Sequence, residues 1–563
     1  MPRIATHASE ATKSVAAFVE NLTAAASSGG AIFDAVAADS FASEALNQST
    51  GLPATLTALL DDVNGKNIDL GGRSVSHRAV VMQSILDGVN AYTAEHGEAP
   101  SADVVEAALY QGYSTTDEAR SKLAKLDSVS ATSNHMDPIS MQPNRAVVAI
   151  FSSMAEAIPI ASYLPFDLGS NESPLIIVQN VAGSNSGTMK AGDLLDGLNA
   201  GSPYMSTSRI IKLVDGKGKV TATMTDDETC DPAGPAVNLM RGRTTIYVQG
   251  LVAGSEIANT AAATSMIGGS IVFGTTEHVL SGSVKPDTGE IDVTFTPALP
   301  TNMAVHAEAF IDLEKQPQLT PIFGVQALKY SMKAYAFRAL TQVSIDANTQ
   351  FTNEIGMTPE SHSLLAMRNQ MGNERHYHVL RMAERLALNN VGDYQFAWAT
   401  QGLQKTRNQI AQDIMAAIFP LEQAMANSTM DHGITHMYVD EVMASTLLCC
   451  DSTVFQPSGV APRPSIYRLG RLLGKYDVYL NPRARKPNAV PSVSKILCVG
   501  RSTQAGRNPF VLGDAVAPMA VPVATGSDMV NKSGLYGRNF TSVNPHAPSA
   551  KGCAILTVSG LNG

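Results

Sequence analysis

Side chains able to do chemistry are sparse in this chain, and those that cluster lack the spacing a reaction needs. Gly470-Arg-Leu-Leu-Gly474-Lys475 has too short an interval for a phosphate-cradling loop, and no Ser or Thr follows the lysine. Gly183-Ser-Asn-Ser-Gly187 carries Asn where a nucleophile elbow carries serine, so loop composition explains it. His432 and His436, with Asp431 and Asp440 nearby, form the best metal-ligand pattern. On a helix that spacing would place both imidazoles on one face, but Gly433 and the flanking β pattern favour a polar turn entering a strand. His376 and His378 are two apart, so on a helix they point in different directions. Cys449-Cys450 is neither a zinc knuckle nor a redox pair and is expected to be a buried apolar pair. Asp61-Asp62 and Asp226-Asp227-Glu228 read as solvated turns. No catalytic, cofactor-binding or metal residue is assigned, and the chain is not expected to be an enzyme.

One charge feature stands apart. Residues 461–510 hold ten basic side chains, Arg463, Arg468, Arg471, Lys475, Arg483, Arg485, Lys486, Lys495, Arg501 and Arg507, against the single acid Asp477. A stripe for nucleic acid is one reading. The aromatics there, Tyr467, Tyr476, Tyr479 and Phe510, fall in strand-like contexts ill suited to base stacking. A second reading is contact with an acidic region of a neighbouring copy, the N-terminal module being one candidate. A third is ordinary surface charge paired within its own domain.

Several elements must position these groups. Residues 1–134 form an Ala-rich helical module of net charge −8, with 8 basic and 16 acidic residues. Val15, Phe18, Val19 and Leu22 make one helical stripe, and Thr115-Thr-Asp-Glu118 reads as a capping box. The polar stretch 127–134 is a linker. Residues 138–199 look irregular, with only 147–151 resembling a bounded strand. Between 204 and 312 the pattern is β-rich, and 210–214 with 220–225 read as a hairpin in a small sandwich or barrel. A helix of about 46 Å is expected over 358–388, started by Pro359 and bent at Gly372. A second, striped by Leu403, Ile410, Ile414 and Ile418, should stop at Pro420. Strands are expected at 435–440, 476–480, 495–500 and 554–559.

Composition bounds the rest. The chain has 563 residues, 44% hydrophobic and only 16% charged, with a formal charge of −10. That excludes a mostly disordered protein, which needs low hydrophobicity and high net charge. The acidic balance argues against a global nucleic-acid binder. Five scattered cysteines give no disulfide framework, no apolar run reaches the length of a membrane span, and no secretory signal layout is present. The composition fits a soluble, reducing-compartment protein, and its weak charge reads either as a surface largely covered by copies of itself or as ordinary compositional scatter.

The order of parts resembles the major capsid proteins of tailed phages, of the Hong Kong 97 type and large-phage variety. Most of the likeness lies in Tyr467-Arg-Leu-Gly-Arg-Leu-Leu-Gly-Lys-Tyr-Asp-Val-Tyr-Leu-Asn-Pro482, which is similar to that family's late strand pair. Ile496-Leu-Cys-Val-Gly-Arg501, Phe510-Val-Leu-Gly513, Ala517-Pro-Met-Ala-Val-Pro522, Gly537-Arg538 and the strand within 552–561 add to it. The resemblance implies an α+β fold with a long spine helix, axial and peripheral domains, an extended loop and an arm. Carried over, 1–134 is the N-terminal helical module, a scaffold-like segment, and 135–203 is the arm and start of the extended loop. Residues 204–312 become a β-rich insertion domain, and 313–429 a peripheral domain with its spine helix at 358–388. Residues 430–515 are mainly the axial domain, and 516–563 return to the peripheral domain. Met154-Ala-Glu156-Ala157 looks like a prohead-protease cut site. The implied function is self-assembly into pentamers and hexamers of an icosahedral head shell enclosing genomic DNA. Scaffold, portal and decoration proteins and non-specific contact with packaged DNA are the implied partners, with no membrane. The implied location is the virion, with assembly in the host cytoplasm. A contractile-tail sheath or other virion structural protein, and an enzyme with an unrecognised site, are the alternatives.

Overall fold

The computed structural model describes residues 18, 56, 57, 59, 60, 67–70, 73–113, 153, 154, 157–164, 166, 172–213, 218–225, 235–257, 262–356, 359–485, 490, 492–523 and 530–561. It is a mixed α+β structure with several sheets, divided into a unit of residues 1–177 and 329–563 and a unit of residues 178–328. The expected helix from Thr115, the linker 127–134, the strand 147–151, most of the Val15–Leu22 stripe, Asp61-Asp62, Asp226-Asp227-Glu228 and Lys486 lie outside the described residues.

The larger unit begins with the hairpin β1 (Asn67–Leu70) and β2 (Arg73–Ser76), then helices α1 (His77–His96) and α2 (Ala102–Tyr113). Val81, Ile85 and Val89 of α1, spaced by helical turns, pack with Val105, Ala108 and Leu109 of α2 and with Phe18, Leu56 and Leu59 in a core of their own. After the short β3 (Ser162–Tyr163) comes β4 (Glu172–Ala182), an eleven-residue strand. The stretch read as irregular therefore holds a strand, with Leu175 and Ile177 inward and Ile176 and Val178 outward.

Residues 178–328 are built on one eight-stranded antiparallel sheet. Its strands are β5 (Ser208–Leu213), β6 (Gly218–Thr221), β7 (Thr245–Val248), β8 (Leu251–Ile257), β9 (Ser265–Phe273), β10 (Thr276–Lys285), β11 (Glu290–Thr296) and β12 (Val305–Phe310). The order is β5-β12-β7-β8-β9-β10-β11-β6. The expected hairpin between 210–214 and 220–225 does not form. β12 instead pairs with β5 over six residues, Val305 opposite Leu213 through Phe310 opposite Ser208. The four residues of β6 pair with β11 at the other end of the order. The longer ladder, with Val305, Ala307 and Ala309 all inward, outweighs a short local hairpin. All eight strands feed side chains to a single core, which Val237, Leu239 and Ile311 from outside the strands complete. The turn at 285–289 joins β10 to β11 as expected, with Gly289 at φ 69°.

β13 (Phe323–Lys333) pairs with β4 and runs almost directly into β14 (Tyr335–Ser344) of the larger unit. These two long strands were not legible in the sequence, because neither shows a clean alternation of buried and exposed positions. A short helix α3 (Ile345–Gln350), capped by Ser344, precedes α4 (Pro359–Leu386). α4 has 28 residues, about 42 Å at 1.5 Å per residue, and continues through Gly372. Among its described side chains only Val379, Leu380 and Ala383 are fully buried, and Leu365 is 58% exposed.

Then come β15 (Val391–Gln395), α5 (Arg407–Asp413) and α6 (Met415–Thr429). Pro420 does not end the second helix. Ile418, Leu421, Met425 and Thr429 form a buried face that spans the proline, whose ring lies on the exposed side. There the carbonyl it leaves unpaired can turn to water. The chain ends in β16 (His436–Val439), α7 (Glu441–Leu448), β17 (Phe455–Pro457), β18 (Tyr467–Leu472), β19 (Tyr476–Leu480), β20 (Val493–Val499), β21 (Phe510–Val523), β22 (Val530–Val543) and β23 (Cys553–Ser559). A mixed seven-stranded sheet has the order β15-β23-β20-β16-β19-β18-β17, and a four-stranded one β14-β22-β21-β3. β18 and β19 are the antiparallel pair anticipated from the sequence.

Gly470 lies where β18 passes β17, and a Cβ there would run into the carbonyl oxygen of Gln456. Gly470→Ala is expected to cost about 1–3 kcal/mol, seen as a lower urea midpoint, because neither backbone can move aside without losing ladder bonds.

Candidate functional site

The basic segment converges on the β18–β19 hairpin. Leu473 and Gly474, at φ 52° and 67°, are both left-handed in the three-residue turn, residues 473–475, that joins Leu472 to its ladder partner Tyr476. Gly470 to Lys475 is therefore a strand and its turn. Lys475 Nζ reaches both oxygens of Glu422 at 2.7 and 2.8 Å, and the Tyr476 hydroxyl donates to the same carboxylate at 2.7 Å. Asp477, buried on β19, accepts from Arg468 Nε at 3.0 Å and Nη2 at 2.7 Å and from Arg471 Nη2 at 3.2 Å.

The remaining partners come from the N-terminal helices. Arg463 pairs with Glu95 and Arg471 with Glu98, while Arg501 Nη2 meets Asp103 at 3.0 and 3.2 Å. Arg485 pairs with Asp440 at 3.4 Å. The expected charge-complementary contact with the acidic N-terminal module thus exists, but within one chain. Of the ten basic residues, Arg463, Arg468, Arg471, Lys475, Arg485 and Arg501 have carboxylate partners in the same chain. Arg483 lies over the Tyr377 ring at 4.4 Å, Lys495 is exposed, and Arg507 is half-buried at the end of a short turn. Sequence reading missed Glu95, Glu98 and Asp103 as individuals; their signal was the −8 charge of their module.

Beneath these pairs lies a cluster of rings. His96 Nδ1 is hydrogen-bonded to the Tyr479 hydroxyl at 2.9 Å, and its ring packs 4.4 Å from Tyr92. Tyr479 stacks on Tyr438 at 5.4 Å, whose hydroxyl is 3.1 Å from His376 Nε2, and His436 lies 6.0 Å from Tyr479. Burial holds the His96 imidazole down to about 3, helped by the cationic forms of His376 and His436 and by Arg463 and Arg468. Burial likewise lowers His376 to about 4, and it is the main cause of the lowering of His436 to about 4. Tyr92 and Tyr163 are pushed up to about 12, chiefly by burial. Groups so far from neutrality are poor proton carriers near pH 7, so the cluster acts as a polar joint between α1, α4 and the seven-stranded sheet.

The other candidates separate. Asp440 caps α7 by accepting from Met443 N at 2.9 Å and also takes Ser494 Oγ at 2.6 Å. Asp431 accepts from Ser502, and His436 Nδ1 lies 2.7 Å from Thr435 Oγ1. His432 turns its Nδ1 towards the Gly433 carbonyl at 3.4 Å. Among the described residues no three His, Cys, Asp or Glu side chains gather as a metal site would need. His376 and His378 do diverge, the latter lining a groove of about 660 Å³ beside α4 together with Arg375, Arg381 and Arg483. The Cys449-Cys450 expectation is corrected: Cys449 is exposed at the end of α7 and Cys450 half-buried, because the helix ends there and only its preceding turn packs inward. Ser186 of the 183–187 loop donates to the Tyr204 carbonyl and accepts from Arg209, a structural arrangement. Among the described residues no helix is long and apolar enough to cross a membrane.

No family model and no curated protein matches the chain. Among solved structures it is similar to the capsid of the jumbo bacteriophage PhiKZ, at 8% identity, covering 71% of this chain and 91% of that one, with a TM-score of 0.36. It is also similar to the capsid of Myoviridae phage XM1, at 9% identity, 57% and 89% coverage and a TM-score of 0.27. For the encapsulin complex of Synechococcus elongatus PCC 7942 the values are 10%, 42% and 79%, and 0.27.

The ring cluster sets an acid limit on stability. A histidine with a lowered folded-state pKa binds its proton more readily when unfolded, so stability is full above about 6.5 and drains as pH falls towards the folded value. His96 alone should contribute a slope of about 1.4 kcal/mol per pH unit between about pH 6 and 4, with His376 and His436 adding to it. Urea midpoints measured from pH 7.5 downwards check this, and His96→Phe should flatten the fall.

Proposed function

We propose that this chain is a major capsid protein of a tailed bacteriophage, of the Hong Kong 97 type, whose copies form pentamers and hexamers and close an icosahedral head around DNA. The observation that carries the reading is the succession of elements. An eleven-stranded stretch of β4 to β14, with an eight-stranded sheet inside it, leads into one long helix lying against long strands. A shorter helix and the β18–β19 pair then follow in the order that the sequence resemblance implies. On this reading 1–134 is an N-terminal module, 135–203 the arm and start of the extended loop, and 204–312 an insertion domain. Residues 313–429 are peripheral, 430–515 mainly axial, and 516–563 the return.

Exposed apolar side chains support association with further copies. Leu340 on the edge strand β14 is 51% exposed, and Leu365, Leu388, Leu403, Phe419 and Leu448 also face outward in the larger unit. Among the described residues β14 is an edge strand of its sheet, and its ten residues carry one charge, Arg338, and no proline, lysine or acid. Shell formation would repeat such modest contacts many times, so valency supplies what one contact lacks. Scaffold, portal and decoration proteins and the packaged DNA are its proposed partners, the DNA contact being non-specific and salt-sensitive. The virion is the proposed location, after assembly in the host cytoplasm.

Electron microscopy of the purified chain, alone and coexpressed with its scaffold, tests this. Capsomers or closed shells are expected; monomers alone refute the reading, and helical tubes replace it with a sheath. Leu340→Asp and Leu365→Asp should each cut the assembled fraction by about tenfold or more, the equivalent of 1.4 kcal/mol per contact, while circular dichroism stays unchanged. Unaltered assembly in both variants would remove these faces from the interface.

A further inference from the structure

We propose that Arg463 and Arg471, backed by Arg468, form a binding surface for the phosphate backbone of DNA, and that Glu95 and Glu98 occupy it in the same chain as stand-ins for phosphate. The inference deepens the DNA contact in the reading above by naming its place and its regulation.

The charges balance locally. Four guanidiniums, those of Arg463, Arg468, Arg471 and Arg501, face four carboxylates, those of Glu95, Glu98, Asp103 and Asp477. These pairs are of two kinds. Asp103–Arg501 and Asp477–Arg468 are deeply set, with side chains 8–14% exposed, and belong to the framework. Glu95–Arg463 and Glu98–Arg471 lie near the surface, and the Glu98 side chain is 58% exposed. Ion pairs so open to water are weak and screened by salt. The outer two carboxylates can therefore be exchanged for another anion while the inner pairs hold the fold.

The arrangement suits phosphate. Arginine presents a planar fork that fits phosphate oxygens two at a time, and duplex DNA offers one charge about every 1.7 Å of axis. Tyr467, Tyr476 and Tyr479, the aromatics of the same hairpin, are all buried, so nothing there can stack on a base. Binding would follow the backbone and ignore sequence. The approach is close by design: Gly97, between the two glutamates at φ 72°, leaves no Cβ where the Arg468 guanidinium lies. Glu95 and Glu98 thus compete with DNA, and linkage requires that DNA in turn loosen their segment.

The test uses the full chain, unassembled, with a mixed-sequence duplex of about 30 base pairs at about 50 mM salt, read by fluorescence anisotropy. Glu95→Gln with Glu98→Gln should bind about tenfold tighter than wild type, with a salt slope steeper by about two units. Glu277→Gln with Asp292→Asn, which changes net charge equally on an exposed sheet face, should leave affinity within about twofold. Adding Arg463→Gln and Arg471→Gln to the first pair should erase its gain. In the wild type, saturating duplex should speed amide exchange over residues 93–99. The proposal is overturned if the first pair gains nothing, if the control pair gains as much, if the gain survives loss of the two arginines, or if exchange over 93–99 is unmoved at saturation. Shell formation is scored separately by microscopy, so shells without a gain in affinity sink this inference alone, and a gain without shells sinks only the capsid reading.

Discussion

Burying the Asp103–Arg501 pair constrains most of the larger unit. Both side chains are nearly withdrawn from water, at 11% and 14% exposure, and desolvation costs several kcal/mol per ion before any attraction is counted. The geometry offsets that cost with additional hydrogen bonds. Asp103 Oδ2 accepts from Tyr163 N at 2.9 Å, and Arg501 Nη1 donates to the Pro159 carbonyl at 2.6 Å. The start of α2, the segment leading into β3, and the exit of β20 are thereby held at one point. None of the three could shift without stranding a charge in a low-dielectric interior, so their mutual placement is tightly specified.

That placement dictates the neighbouring chemistry. Tyr92 and Tyr163 lie beside the pair, and both are driven up by burial. His96, one turn beyond Tyr92, is carried under the same cover and has the Tyr479 hydroxyl as its hydrogen-bond partner. Cationic neighbours Arg463 and Arg468 on the sheet side leave no room for a third positive charge. Burial above all keeps the three histidines neutral ring spacers; tyrosine hydroxyls partner His96 Nδ1 and His376 Nε2, and Thr435 Oγ1 partners His436 Nδ1. A residue set that might suggest proton transfer in a sequence becomes, once buried together, a polar seam that fixes orientation.

Legibility of the sequence followed the range of the interaction. Local signals held: Pro359 starts the long helix, 285–289 turns a hairpin, and 476–480 is a strand. Non-local competition defeated others. β5 is taken by β12 from almost a hundred residues away, and Pro420 is overridden by a buried face on either side of it. β13 and β14 were hidden because long strands without a fully buried face lack the period that marks a strand. For the candidate site, charge bookkeeping along the chain identified the acidic module and the basic segment as complementary. It could not distinguish a partner in the same chain from one in a neighbour, since net charge carries no information about connectivity.

The low charge content acquires a physical consequence from this arrangement. Only 16% of residues are charged, and a substantial set of the arginines is consumed in pairs close to the chain's own core. Charge spent inward is not available to keep outer faces soluble and separate. What remains outward on β14, α4 and the ends of α6 and α7 includes Leu340, Leu365, Phe419 and Leu448. An edge strand such as β14 and scattered exposed leucines are liabilities for a monomer, which normally guards such edges with lysine or proline. On the proposed capsid reading the same features serve repeated self-association, and internal pairing of charge and outward display of apolar groups become two sides of one allocation.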